Sequence, residues 1–336
     1  CEKQDRFEEA QEQYEEALKI LIFDEGTESA NVALMSGDLG NLLLKRGQLD
    51  EALKLHKKAI RTYRRLDHGD LAHALKQAGN VLFKKADMQG AMRKFEEAHE
   101  LTLERHGENH PTALALLGDM ANVLNIQGKG AESIALHEKI IDIYRRNPSG
   151  DPDHRTESLL NLGAAYDSMG KPAEALERFK EGLEIVRRYH PERSAREADF
   201  LQNIGISYFQ QGKVNEALEM YRKAQKIFRK TLGPECAEVG RSVCTMGASL
   251  MSLGKVDEAM EKFEEALVIL RRASGPAHHE VAHTLRSMGA CKEHLGDKEG
   301  AVACLREAQR IYQQRGMTHG AASGIQEALA RLERGM

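Results

Sequence analysis

Tryptophan is missing from the chain, and aromatic residues of all kinds make up only 5% of it. No apolar run approaches the ~18 residues that a membrane-spanning helix needs, so no membrane insertion is expected. The opening stretch CEKQDRFEEA is charged from its start and does not read as a secretory leader. An excess of one charge sign is lacking too. Against 52 acidic residues stand 48 basic ones, a net charge of −4, so nucleic acid is not an expected partner. The five cysteines (Cys1, Cys236, Cys244, Cys291, Cys304) are odd in number and follow no paired spacing. That argues against a disulfide framework and for a reducing, cytoplasmic setting, with each thiol a small buried apolar group. No G-x-x-x-x-G-K-[ST] loop and no strand-led G-x-G-x-x-G occurs. A phosphate cradle is therefore not expected, nor any cofactor.

What remains is helix-forming material. The 336 residues are 41% hydrophobic and 30% charged, with Ala, Leu, Glu, Lys and Arg dominant. Length alone would suggest about two domains, but an internal period changes that reading. Gly128, Gly170, Gly212, Gly254 and Gly296 are spaced by 42 residues. Gly47 and Ala86 continue the series upstream after one shortened interval of 39, and Asp5 stands 42 before Gly47. Seven residues before each mark is a small residue: Gly40, Gly79, Ala121, Gly163, Gly205, Gly247, Gly289. Five after comes a run from Ala10 and Ala52 to Ala301, broken by Ser133. Nine after comes mostly a ring: Tyr14, His56, Phe95, His137, Phe179, Tyr221, Phe263, then Leu305.

Close helix crossings require small side chains. Each repeat thus reads as a helix A, a tight turn and a helix B. The Gly/Ala before the turn should face the Ala after it, with the ring filling the wider gap beside them. Leu159, Leu162 and Tyr166 show the spacing of a buried helical stripe. Pro111, Pro148, Pro152, Pro191, Pro234 and Pro276 fall between one helix B and the next helix A. Pro172 falls near the first turn of a helix, where Pro is tolerated.

The run Leu201–Ala224, L-x-N-I-G-x-x-Y-x-x-x-G-K-x-x-E-A-L-x-x-Y-x-x-A, resembles the tetratricopeptide (TPR) repeat. The 42-residue period and the linkers Glu108-Asn109-His110-Pro111 and Thr231-Leu232-Gly233-Pro234 resemble the kinesin-light-chain subtype. The resemblance covers nearly the whole chain. It implies an all-α, right-handed superhelical solenoid of antiparallel helix pairs, about sixteen helices in all, over residues 1–336. The expected division is an orphan helix B at 6–23 and seven pairs at 28–66, 70–105, 111–147, 153–190, 194–232, 236–273 and 278–315. A terminal or capping helix follows at 320–334. An opening helix without its partner, and a first residue that is Cys rather than Met, lead us to expect a segment of a longer protein.

One motif tempts an enzymatic reading. His279-Glu280-Val281-Ala282-His283 matches H-E-x-x-H, a zinc-binding pattern when it lies on a helix. It occupies the place where related linkers carry H-P-x-V-A, however, and no third ligand is evident, so a non-catalytic protein is expected. His106 and His110 read as solvated linker residues, and His56 and His137 as filling for the ring slot.

The resemblance implies that helix A lines a concave groove. Positions two and three before, and one and five after, the small residue of helix A then face it. Asn41, Lys45, Lys76, Asn80, Lys84, Asn122, Asn161 and Asn203 are the candidate partner-binding residues. Asparagine amides can pair with any peptide backbone, and the lysines favour acidic groups. Lys76 and Asn80 begin the carboxylate clamp of some TPR adaptors, but Asp119, Leu160 and Ala164 depart from it. A protein or peptide partner is expected, in an adaptor that holds an extended, acidic segment. The alternative is a structural component of a cytoskeletal, motor or ciliary assembly that makes contact through helix B faces and loops.

Overall fold

Seven short turns set the architecture. At each, one residue has a positive φ: Gly47, Gly128, Gly170, Gly212, Gly254 and Gly296 lie between 69° and 81°, and Ala86 at 61°. The following amide reaches back across the turn. Gln48 N–H donates to the Leu43 carbonyl and Lys213 N–H to that of Tyr208, both at 2.9 Å. This closure satisfies the last carbonyls of one helix and reverses the chain at once. Ala86 makes the same turn, with Asp87 N–H donating to Leu82 at 2.9 Å, but it carries a Cβ into left-handed space.

The computed structural model describes residues 2–147, 151–190, 192, 194–314 and 321–334, with side chains described outside 2–6 and 321–323. Cys1, Pro148 and Pro191 lie outside the described residues. Sixteen helices and no strand occur among the described residues. They are α1 (Glu2–Glu25), α2 (Ala30–Arg46), α3 (Leu49–Arg65), α4 (Leu71–Lys84), α5 (Met88–His106), α6 (Pro111–Ile126), α7 (Gly130–Arg146) and α8 (Pro152–Ser168). There follow α9 (Pro172–Tyr189), α10 (Ala195–Gln210), α11 (Val214–Thr231), α12 (Ala237–Ser252), α13 (Val256–Ser274), α14 (His279–His294), α15 (Lys298–Gln314) and α16 (Ala321–Arg334). Asp5, counted as a turn mark in the sequence, falls inside α1, where the backbone is already helical. No helix of the described residues is long and apolar enough to cross a membrane.

Linker side chains cap the A helices α2, α6, α10 and α14, whereas Asp70 and Cys236 before α4 and α12 make no such bond. Ser29 Oγ accepts from Val32 N–H at 3.1 Å and Ser194 Oγ from Glu197 N–H at 3.3 Å. His110 and His278 do the same work with Nδ1, accepting from Thr112 and Glu280 N–H at 3.3 and 3.4 Å. The linker histidine is thus an N-cap, which satisfies an amide that the helix itself cannot. His110 also stacks on His106, with centroids 4.6 Å apart.

The close contact inside a pair differs from the expected one. A Cβ on the helix A glycine would first meet the ring of helix B rather than its alanine. At Gly40 it would lie 2.9 Å from His56 Nε2, and at Gly247 2.8 Å from Phe263 Cε1. At Gly79 and Gly205 it would collide outright with Phe95 and Tyr221. The glycine exists to seat the ring. The alanines five and twelve after each turn (Ala52, Ala59, Ala91, Ala98, Ala217, Ala224 and their equivalents) are fully buried. Where Gly182 replaces that second alanine, Phe200 fills the space, against which a Cβ would clash.

His56 and His137 occupy the ring slot at 1% and 2% exposure. Neither ring nitrogen of His56 has a hydrogen-bond partner, nor does Nδ1 of His137. Burial pushes both imidazoles down to about 4, with nearby His73 adding to the effect at His56. Both rings are neutral core filling.

The chain divides into two compact units, Cys1–Ala165 and Tyr166–Met336. In the first, Tyr14 and Leu18 of α1 pack against a core of Leu39, Leu43, Ala52 and Val81. In the second, Phe179, Phe200, Tyr221 and Phe263 are the largest fully buried side chains.

Candidate functional site

Helices α2 and α4 of the first unit border an open groove of about 510 Å³ lined by Asn41, Leu44, Lys45, Gln77, Asn80, Phe83 and Lys84. Four of the eight sequence candidates meet here. Leu44 and Phe83 provide apolar surface, while Lys45 and Lys84 are exposed. Neither ammonium has an ion-pair partner among the described residues. Asn80 Nδ2 donates to Gln77 Oε1 at 3.3 Å, which leaves its own carbonyl oxygen open. Asn41 Oδ1 is buried and has no partner. The site therefore offers two cations and the Asn80 carbonyl oxygen beside the apolar surface of Leu44 and Phe83, while Gln77 is held by Asn80 and lies 3.4 Å from His73 Nε2.

Three further candidates, Lys76, Asn122 and Asn161, line a separate cavity of about 250 Å³ between α4, α6 and α8. Its charge is not what the lysine suggested. The Lys76 ammonium lies 3.5 Å from Asp119 of α6, and Glu157 lines the same wall. Burial pushes the Asp119 carboxyl up, against the downward pull of Lys76. The positive charge expected from Lys76 is thus neutralised in place, and a carboxylate guest would meet Asp119.

The eighth candidate, Asn203, lines a pocket of about 540 Å³ in the second unit, between α10, α12 and α14. Phe228, Leu270 and Tyr312 form its apolar depth, and Asp199, Glu238, Arg241, Glu280 and His283 its polar rim. Gln202 is locked in place: Ser242 Oγ donates to its Oε1 at 2.6 Å, and its Nε2 donates to Thr245 Oγ1 at 2.9 Å. The eight candidates therefore line three cavities, two in the first unit and one in the second.

The H-E-x-x-H residues sit on this rim without the geometry of a zinc centre. Glu280 is held by Arg241 Nε at 3.2 Å and lies 3.5 Å from His278 Nδ1. His279 faces solvent beside His278, with centroids 4.3 Å apart. His283 Nδ1 lies 3.9 Å from Cys244 Sγ. No group of three or more His, Cys, Asp or Glu side chains is placed to hold a metal ion among the described residues. Cys244 and His283 do not form an activated dyad either. Burial raises the thiol and lowers the imidazole, so both favour their neutral forms.

Sequence reasoning placed none of Asp199, Arg241 and His283 in the groove, His283 entering only through the H-E-x-x-H motif, for a definable reason. Each lies six residues before its helix A glycine (Gly205, Gly247, Gly289), one turn upstream of the positions used to define the groove. Ala115 and Glu157, equally placed before Ala121 and Gly163, line the first unit's smaller cavity. Glu238 and Glu280, nine before, continue the same stripe at helical spacing.

Two family profiles, both described as Tetratricopeptide repeat, match the chain. One covers residues 1–65, 70–146, 112–188 and 239–314, the other 198–235. Tetratricopeptide repeat protein 19, mitochondrial, of Danio rerio is 35% identical over 54 residues, which are 16% of this chain and 13% of that protein. Among solved structures, the nearly identical TPR-like repeats assigned to a kinesin light chain of Podosopora anserina share 19% identity. They cover 60% of this chain and 98% of theirs, with a TM-score of 0.53. A Rap protein complexed with Competence and Sporulation Factor shares 16% identity over 98% of this chain and 94% of its own, with a TM-score of 0.60.

Proposed function

The chain belongs to the tetratricopeptide repeat family, and on that footing we propose that it is a non-catalytic adaptor for an extended, acidic segment of a partner protein. One observation carries the reading. Lys45 and Lys84 stand without counter-ions beside the amides of Asn41, Gln77 and Asn80, above Leu44 and Phe83. Unpaired, exposed ammonium groups attract carboxylates and steer their approach. The Asn80 carbonyl oxygen would accept from the segment's backbone whatever its side chains. A Rap protein of like fold holding a second factor supports the use of such repeats as a binding frame. A cytoplasmic setting belongs to the same reading, drawn from the odd, unpaired cysteines.

Selection of random linear peptides on the purified chain tests the proposal. Acidic peptides should be enriched, and Lys45→Glu with Lys84→Glu should lower their affinity by about tenfold or more. Lys76→Gln, which removes an ammonium already paired with Asp119, should change it far less. Acidic peptides that bind the Lys45/Lys84 double variant as well as the wild type would refute the groove.

A further inference from the structure

The pocket of the second unit has the opposite electrostatic sign. Phe228, Leu270 and Tyr312, each at most 3% exposed, give it an apolar depth, and Ile206 forms part of its wall. Gly240 lets Leu270 approach, since a Cβ there would lie 2.7 Å from Leu270 Cδ2. Around the mouth stand three carboxylates, Asp199, Glu238 and Glu280, and one guanidinium, Arg241. Arg241 is already shared, at 3.2 Å from Glu238 and 3.2 Å from Glu280. Asp199 is left with no ion pair among the described residues, half-buried on α10 and facing the cavity. Burial holds its carboxyl above the usual range, with Arg241 and Arg196 pulling it down and Glu238 pushing it up. Beside it, Asn203 Nδ2 donates to the Asp199 carbonyl at 2.9 Å, so Asn203 Oδ1 remains free to accept from a guest's backbone.

We infer that this pocket receives an apolar side chain of a partner polypeptide, and that a lysine or arginine next to that side chain pairs with Asp199. A cavity of about 540 Å³ is of the size that encloses a large side chain with the backbone around it. Glu238 and Glu280 are paired with Arg241, and Arg196 and Arg286 act on the site from outside its lining, so the carboxylate left to choose a guest is that of Asp199, which attracts a cationic side chain. The inference rests on the chain being a peptide binder, but not on the first unit's groove.

The same peptide selection decides it. Wild-type protein should enrich peptides in which Phe, Leu or Met adjoins Lys or Arg. Asp199→Asn should weaken those peptides about tenfold or more, while Lys45→Glu with Lys84→Glu leaves them unchanged. If Asp199→Asn melts early, Ile206→Trp, which narrows the cavity from its wall, should cause the same loss. Three results would overturn the inference: no enrichment of basic–apolar peptides, equal binding of them by the folded Asp199 variant, or enrichment of acidic peptides alone. The last, if abolished by the Lys45/Lys84 exchange, would uphold the first unit's groove.

Discussion

Ala86 does the work of glycine under strain. Its φ of 61° puts a Cβ where the left-handed conformation costs about 1–2 kcal/mol. Ala86→Gly removes that strain and gives back part of it as unfolded-state entropy. The urea midpoint should rise by the equivalent of about 0.5–1 kcal/mol, and an unchanged or lower midpoint would refute the strain. Gly205 is the converse case. Any Cβ there meets the Tyr221 ring, so Gly205→Leu should cost about 1–3 kcal/mol or more. Wild-type-like melting would show that the ring yields freely. The glycine and ring positions were legible because one contact recurs at a fixed spacing. The neutralisation of Lys76 was not. It depends on Asp119 meeting it from another helix, a distance that no local pattern encodes.

At the scale of the helix, many starts and stops were readable, since they have a chemical cause at a fixed place. Pro111 and Pro172 open α6 and α9, and positive-φ residues close the A helices. What the period concealed was a charge pattern on the B helices. Arg229 of α11 reaches Glu265 of α13 at 2.8 Å, and Arg271 of α13 reaches Glu307 of α15 at 2.7 Å. Arg64 of α3 meets Glu97 of α5 in the same way. Each arginine stands seventeen residues after its turn mark and each glutamate eleven, a regularity visible only once the partners are known. These groups are partly exposed, so Arg229→Ala should cost no more than about 1 kcal/mol, and less in high salt. A larger, salt-independent loss of stability would show that packing of the arginine stem, rather than its charge, matters there.

Across the whole chain, the repeating helix pair was plain in the sequence, whereas the chemistry of the cavities was not. Repeats share the side chains that make them stack and differ in those that face a guest, so periodicity reveals the first kind and hides the second. The same distinction gives the two units unequal responses to acid. His56 and His137, both in the first unit, are buried without a proton and sit near 4, against an ordinary 6.5. A histidine depressed in the folded state contributes its full stability above about 6.5 and loses it as pH falls towards 4, because the unfolded chain binds the proton first. The loss is at most about 3–4 kcal/mol for each ring. In the second unit the equivalent slots hold Phe179, Tyr221, Phe263 and Leu305. There Asp167, raised to about 6 by burial, and Asp199, also raised, gain stability as they take up protons, although His283 at the pocket's open mouth pulls the other way. In the first unit Asp119 gains likewise and His99 loses, so that His56 and His137 set the balance. Hydrogen exchange at pH 5 should therefore show α2–α7 opening well before α10–α15. Phenylalanine at both histidine positions should erase the difference, and uniform opening in the wild type would refute it. Two imidazoles used as packing material make mild acidification a means of taking this chain apart from its front end.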